Sequence, residues 1–265
     1  AHELYRNKST YYVKVPFETS KSLKSHIEEE SRNNQDLLSI LRLGKELALM
    51  TEALHQSGYL HLDIKPENLL YKSISENAAE TLSFLDMGTV VRTDDIKNGK
   101  IKYLPYSVGY SSPEQECRCT IDTNHPETMD IFSIGAVIFK MLTGRRPDDS
   151  DCRKREFVFD INNPLYTKHN QSLFTKLNTL LCKTLSLSPS FRFQSCREVI
   201  ELLDSIIGET LLDTAFDKAN SIFCNGSNKN YDSTIFDFSL GDITFVSSSG
   251  TGTYDVVIVN SAEVI

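Results

Sequence analysis

The sequence predicts an α+β fold that is mainly helical, followed by a small strand-containing C-terminal segment, and three patterns carry that expectation. Over residues 36–57, Leu37, Leu38, Leu41, Ala48, Leu49 and Leu54 interleave with polar residues, as in an amphipathic helix. Leu173, Leu177, Leu180, Leu181 and Leu185 repeat at three and four residues, and Val199, Ile200, Leu202, Leu203, Ile206 and Ile207 do so again, predicting two closing helices. After Gly208 the apolar residues gather instead into strand-like runs, Ile243-Thr244-Phe245-Val246 and Val256-Val257-Ile258-Val259.

Taken in order, Tyr11-Tyr12-Val13-Lys14-Val15-Pro16-Phe17 is a β-rich run, and Ser22 caps a short helix over Ser22–Ile27. Glu28, Glu29 and Glu30 read as its solvated end. The helix over residues 36–57 comes next and delivers the chain to a polar loop at residues 61–70. Asn225-Gly226-Ser227-Asn228-Lys229-Asn230 reads as a turn or linker. The expected organisation is thus a domain over 1–207, large enough for a substantial core, and a linker with a small β-rich segment over 208–265.

Composition narrows the function classes. A 265-residue chain with 40% hydrophobic and 24% charged residues is ordinary for a globular protein. A net charge of -8 argues against a nucleic-acid footprint, and no run of 18 apolar residues suggests a membrane segment. Cys117, Cys119, Cys152, Cys182, Cys196 and Cys224 do not read as a disulfide framework in a chain this long. Cys117-x-Cys119 with Cys152 and His125 invites a zinc site, but its spacing is not one of the usual ligand pairs, and free thiols are the expectation.

The run His61-Leu62-Asp63-Ile64-Lys65-Pro66-Glu67-Asn68-Leu69-Leu70 carries the chemistry. Asp63 is a carboxylate able to accept a hydroxyl proton, Lys65 a cation able to neutralise a moving phosphate, and Asn68 a hard oxygen ligand. Alone, an Asp-x-Lys is most often a solvated loop and an Asn a turn residue. The order of the downstream motifs lifts these residues above that reading: Phe84-Leu85-Asp86-Met87-Gly88, then Gly109-Tyr110-Ser111-Ser112-Pro113-Glu114-Gln115, then Asp130-Ile131-Phe132-Ser133-Ile134-Gly135, then Met141–Pro147, and last Pro189-Ser190-Phe191-Arg192. This series resembles the catalytic domain of the protein kinase superfamily, and Lys65 makes the resemblance one to Ser/Thr kinases.

The resemblance implies a protein kinase-like fold represented mainly by its large C-terminal lobe. It implies that Asp63 and Lys65 are catalytic, that Asn68 and Asp86 hold Mg²⁺, and that Ser107 contacts the Asp and Lys. His61 and Met87 are expected in an apolar stack, Asp130 is expected to accept backbone amides of the catalytic loop, and Glu114 is expected to form a buried ion pair with Arg192. Leu62 stands where the family commonly has an Arg that reads an activation-loop phosphate, so phosphorylation is not expected to be a strict switch.

The Gly-rich loop, strand lysine and helix glutamate of a kinase small lobe do not precede Tyr11. Tyr11–Phe17 resembles the last small-lobe strand leading into the hinge, which would set the backbone of Pro16 and Glu18, and the side chain of Leu70, against the adenine of ATP. The N-terminal lobe is therefore expected to be largely missing, or supplied in trans. Gly250 and Gly252 with Val257 match part of a Gly-rich loop, without a third glycine at Asp255; glycine's turn preferences also favour an ordinary hairpin. The expected activity is transfer of the ATP γ-phosphate to a Ser/Thr hydroxyl of a protein in the cytoplasm. The alternative is a catalytically weak kinase-like scaffold. A small-molecule kinase fits Lys65, Ser112-Pro113-Glu114 and Arg192 less well.

Overall fold

A computed structural model describes residues 3–7, 10–14, 20–30, 36–73, 80–101, 103–116, 124–154, 156–157, 171–225, 238–240, 243–247 and 254–258. The chain divides into two units, Ala1–Thr210 and Leu211–Ile265.

The first unit opens with an antiparallel hairpin, β1 (Glu3–Asn7) and β2 (Thr10–Lys14), in register from Glu3 opposite Lys14 to Asn7 opposite Thr10. Only the second of these strands is expected from the sequence. Pro16 and Glu18 lie outside the described residues. Next come β3 (Lys21–Ser22) and α1 (Leu23–Glu30), where Ser22 Oγ accepts the Ser25 amide at 3.2 Å as the expected cap. At the far end of this helix Glu28 and Glu29 are exposed, with Glu29 paired to Lys21.

α2 (Leu37–Gln56) starts at Asp36, whose carboxylate accepts the amides of Leu38 and Ser39 at 3.3 Å each. Its buried face is Leu37, Ile40, Leu41, Leu43, Gly44, Leu47, Ala48 and Thr51. Leu49, expected on that face, is exposed, because it falls about 100° round the helix from Ala48.

Short strands and their connections then build the loop region: β4 (Tyr59–Leu60), a 3₁₀ turn over Pro66–Asn68, β5 (Leu69–Ser73), β6 (Glu80–Phe84) and β7 (Val91–Arg92). β3, β5 and β6 form one sheet in that order, and β4 pairs with β7. α3 (Thr93–Lys97) and the single-turn α4 (Pro113–Glu116) lead to α5 (Thr128–Thr143).

α5 is mostly apolar and is buried on nearly every side, with Thr128, Asp130 and Ser133 buried among its apolar residues. Gly135 lets it meet α7 (Gln171–Thr184) closely: a Cβ there would lie 2.2 Å from Thr184 Oγ1. α6 (Asp149–Cys152) is one turn closed by a capping box between Asp148 and Asp151. In α7 and just beyond it, Leu173, Leu177, Leu180, Leu181 and Leu185 are all buried, as the periodicity predicts. α8 (Cys196–Asn225) adds Val199, Ile200, Leu203 and Ile206 to the same core as α2 and α5, and continues past Gly208. These helices form a mainly helical platform, and the loops at one end of α2 and α5 carry the polar residues of interest.

In the second unit β8 (Phe238–Leu240), β9 (Ile243–Ser247) and β10 (Tyr254–Ile258) form an antiparallel meander, with Ser247 opposite Tyr254. Gly250 and Gly252 lie outside the described residues. So do Cys117 and Cys119. Among the described residues, Cys152, Cys182 and Cys196 are thiols, and no helix is long and apolar enough to cross a membrane.

Candidate active site

The loop after β4 is shaped from beneath by Asp130, in the first turn of α5. Its carboxylate is fully buried and accepts the amides of His61 and Leu62 at 2.8 Å each, and it contacts His55 Nε2 at 2.9 Å. Burial pushes this carboxyl up, but the His55 hydrogen bond and the two loop amides outweigh it and hold its pKa below the ordinary 3.8. Pinned in this way, Leu62 adopts φ +63°, the one left-handed non-glycine residue among those described. That conformation costs a leucine roughly 1–2 kcal/mol.

Asp63 is the hub of the site. Its Oδ1 accepts from Ser107 Oγ at 2.7 Å, and its Oδ2 accepts from Lys65 Nζ at 2.8 Å and Asn68 Nδ2 at 2.9 Å. Lys65 Nζ also donates to Ser107 Oγ at 2.9 Å, and Asn68 Nδ2 to the Asp63 carbonyl at 3.0 Å. Asp63 and Lys65 remain partly open, at 12% and 23% side-chain exposure, so a reacting group can reach them. Asn68 spends its N–H groups on Asp63, so its amide oxygen is the atom left to take a cation.

Asp86 reaches the same region through strand register. β5 pairs with β6 so that Leu69 faces Phe84, and Leu85 N donates to Asn68 O at 2.9 Å. The residue after Asn68 and the residues before Asp86 are thus neighbours. Asp86 is exposed, and its Oδ1 accepts the Gly88 amide at 2.8 Å. One carboxylate and one amide oxygen suit a hard cation that takes the rest of its shell from water and phosphate, so the donor set fits Mg²⁺. Leu70 is half-buried on β5 opposite Ser83, with β3 on its other side.

One expectation fails here. Met87 is 48% exposed, not stacked in the core. The tight turn over Asp86–Gly88 throws it outward, and Phe84 takes the aromatic contact instead, its ring 4.4 Å from that of His61. His61 itself is buried as expected, and burial lowers its pKa.

The segment from Asp86 to Glu114 is tied to the loop at several points. β7 pairs with β4, Thr89 Oγ1 donates to the His61 carbonyl at 2.9 Å, and Ser107 Oγ donates to Asp63 Oδ1 at 2.7 Å. Leu62 is fully buried in an apolar cluster with Leu60, Ile96 and Met129, against which Val91, Ile101 and Leu104 pack. Glu114 and Arg192 form the expected buried pair, at 2.6 and 2.9 Å. Sequence reasoning missed His55, Thr89 and Gln115, whose contacts span the fold and carry no local pattern.

A profile of the protein kinase domain matches residues 1–202. The chain belongs to the protein kinase domain family. A probable serine/threonine-protein kinase of Clostridium perfringens is 27% identical over 202 residues, covering 74% of this chain. A calcium/calmodulin-dependent protein kinase type 1 of Caenorhabditis briggsae is 27% identical over 208 residues, covering 75% of it. The chain spans 27% of the length of the first relative and 53% of the second. In fold it resembles the crystal structure of the Mycobacterium tuberculosis PknI kinase domain, with TM-score 0.53 and 17% identity, covering 77% of this chain and 70% of that one. The fold is therefore protein kinase-like, and its mainly helical first unit is the part the family match covers.

Proposed function

We propose that this chain forms the large-lobe side of a Ser/Thr protein kinase that moves the ATP γ-phosphate to a protein hydroxyl. The observation that carries the reading is the convergence of Lys65, Asn68 and Ser107 on the two oxygens of Asp63. Asp63 can orient an incoming hydroxyl and take its proton, and the bonds it accepts keep it aimed. Lys65 bridges Asp63 and Ser107, where its charge offsets the negative charge that spreads over the transferring phosphoryl group. Asn68 and Asp86 would hold Mg²⁺, which neutralises phosphate oxygens when bound. Leu70 and the backbone of Pro16 and Glu18 would bracket the adenine. A small lobe from outside these residues, in the same polypeptide or in trans, would grip the phosphates. The use of ATP implies a cytoplasmic enzyme in this reading.

One observation favours the alternative of a catalytically weak, kinase-like scaffold: Asp86 is exposed and folds back onto the Gly88 amide. A thermal-shift titration with ATP and Mg²⁺, run beside Asp86→Asn, separates the two together with a phosphate-transfer assay on a mixed protein substrate. The enzyme reading expects stabilisation that needs both nucleotide and metal, is lost in Asp86→Asn, and is accompanied by transfer that Asp63→Asn abolishes. With a small lobe supplied, neither stabilisation nor transfer at millimolar nucleotide would overturn it in favour of the scaffold.

A further inference from the structure

Gln115 is 2% exposed, and all of its side-chain hydrogen-bonding capacity is taken. Its Nε2 donates to the Leu62 carbonyl at 2.8 Å and to the Pro105 carbonyl at 3.0 Å. Its Oε1 accepts from Ser112 N and Ser112 Oγ, both at 3.1 Å. One acceptor therefore belongs to the residue just before Asp63 and the other to a residue two positions before Ser107. These are the two chain segments whose side chains meet at 2.7 Å in the site.

Gln115 also projects from a fixed base. It lies on α4 beside Glu114, which Arg192 holds in a buried two-point ion pair. Leu62 receives a second restraint on its amide from Asp130, so both polar groups of this left-handed residue are held, one from α5 and one from α4. Its side chain packs with Ile96 and Met129. No charged side chain is needed to join loop to segment here.

We infer that Gln115 is a positioning residue, which sets the gap between Asp63 and Ser107 by cross-linking the Leu62 and Pro105 carbonyls from the anchored turn of α4. The inference rests on the proposed function only in calling the Asp63 cluster catalytic. A side chain that merely filled space at this position would be replaced without local consequence by any residue of the same length. A cross-link would not.

Amide hydrogen exchange on the full chain tests this, comparing wild type with Gln115→Glu and Gln115→Met. Both variants keep the length of the side chain, and both remove the donors that face the two carbonyls. The expected result at neutral pH is a roughly tenfold to hundredfold faster exchange in residues 60–65 and 104–112, with α5 and α7 unchanged. Acidification should narrow the difference for Gln115→Glu alone, because a neutral carboxylic acid regains one O–H donor. Asp63 and Lys65 on the loop, Asp130 beneath it and Glu114 with Arg192 on the neighbouring turn are common to all three proteins, so comparison at each pH isolates position 115. Unchanged exchange in both segments, acceleration that is equal in α5, or a Gln115→Glu effect indifferent to pH would each overturn the inference. If Gln115→Glu does not fold, Gln115→Met decides on the first two criteria. No nucleotide is present in this measurement, so a failed phosphate-transfer assay beside the expected exchange pattern would count against the proposed function and not against the cross-link.

Discussion

Arg192 reaches Glu114 across 78 residues and grips both carboxylate oxygens, Nη1 at 2.6 Å from Oε1 and Nη2 at 2.9 Å from Oε2. Its remaining N–H groups are used as well, by the carbonyls of Ser186, Thr128 and Leu187. All five donors of the planar fork are thus satisfied in a site where both side chains are buried. Removing either partner leaves the other charge buried and unpaired, so Glu114→Gln and Arg192→Met should each cost about 3–5 kcal/mol. The double variant should cost clearly less than the sum. Urea unfolding of the three variants checks this, and additive losses would refute the coupling.

Asp130 predicts a second loss, of a different kind. Asp130→Ala removes the acceptor for two loop amides and the partner of His55, and should destabilise the chain by about 3 kcal/mol or more. It should also release Leu62 from its left-handed conformation, since nothing else accepts that amide among the described residues. Calorimetry gives the first number. Faster amide exchange at His61 and Leu62 than at the middle of α5 checks the second, and intact protection there would refute it.

The helices were legible because burial imposes a period: most of the leucines, valines and isoleucines that repeat at three and four residues are buried, and Leu202 and Ile207 are half-buried beside them. Asp63, Lys65 and Asn68 were legible as a cluster because they lie within six residues of one another. Asp86 was legible by its motif and its place in the ordered series, and the β5–β6 register is what brings it near. Other features depend on which neighbour wins a site. Phe84 occupies the place expected of Met87 beside His61, a competition no periodicity encodes. Leu49 is apolar yet sits on the outer side of α2. Gln115 looks like any polar residue after a short turn, and its value lies in carbonyls 10 and 53 residues away. The first strand, Glu3–Asn7, alternates too little to announce itself and is defined by its pairing with β2.

Acid should destabilise the fold in two separable steps. Burial holds the His61 pKa below the ordinary 6.5, so the unfolded chain takes up this proton first. Stability is therefore full above pH 6.5 and falls as pH drops through the folded value. Asp130 has its carboxyl held below 3.8, so its contribution is full above that pH and is lost as pH falls through its folded value. Unfolding free energies from about pH 8 to pH 4 should show the first step in wild type and not in His61→Gln. An identical decline in both proteins would assign the first step to another group.

Phosphate-mimicking substitutions in the segment should not activate this protein. Leu62 meets the segment through Ile96 and through the packed side chains of Val91, Ile101 and Leu104, and offers no cation to a phosphate. Thr93 is buried, so Thr93→Asp places a charge in an apolar setting and should lower stability. Thr89→Asp loses the hydroxyl that donates to the His61 carbonyl. Ser107→Asp is the sharpest case: it sets a second carboxylate where a hydroxyl now lies 2.7 Å from Asp63 Oδ1, and draws Lys65 away from Asp63. Like charges that close repel, so Ser107→Asp should depress phosphate transfer by roughly a hundredfold or more. Ser107→Thr keeps the hydroxyl and should retain most of it. The measurement is phosphate transfer with a small lobe supplied, for the three mimics and Ser107→Thr against wild type. Activity that appears only when one of the mimics is present would show that a segment phosphate is required after all, and that the apolar packing of Leu62 does not replace it.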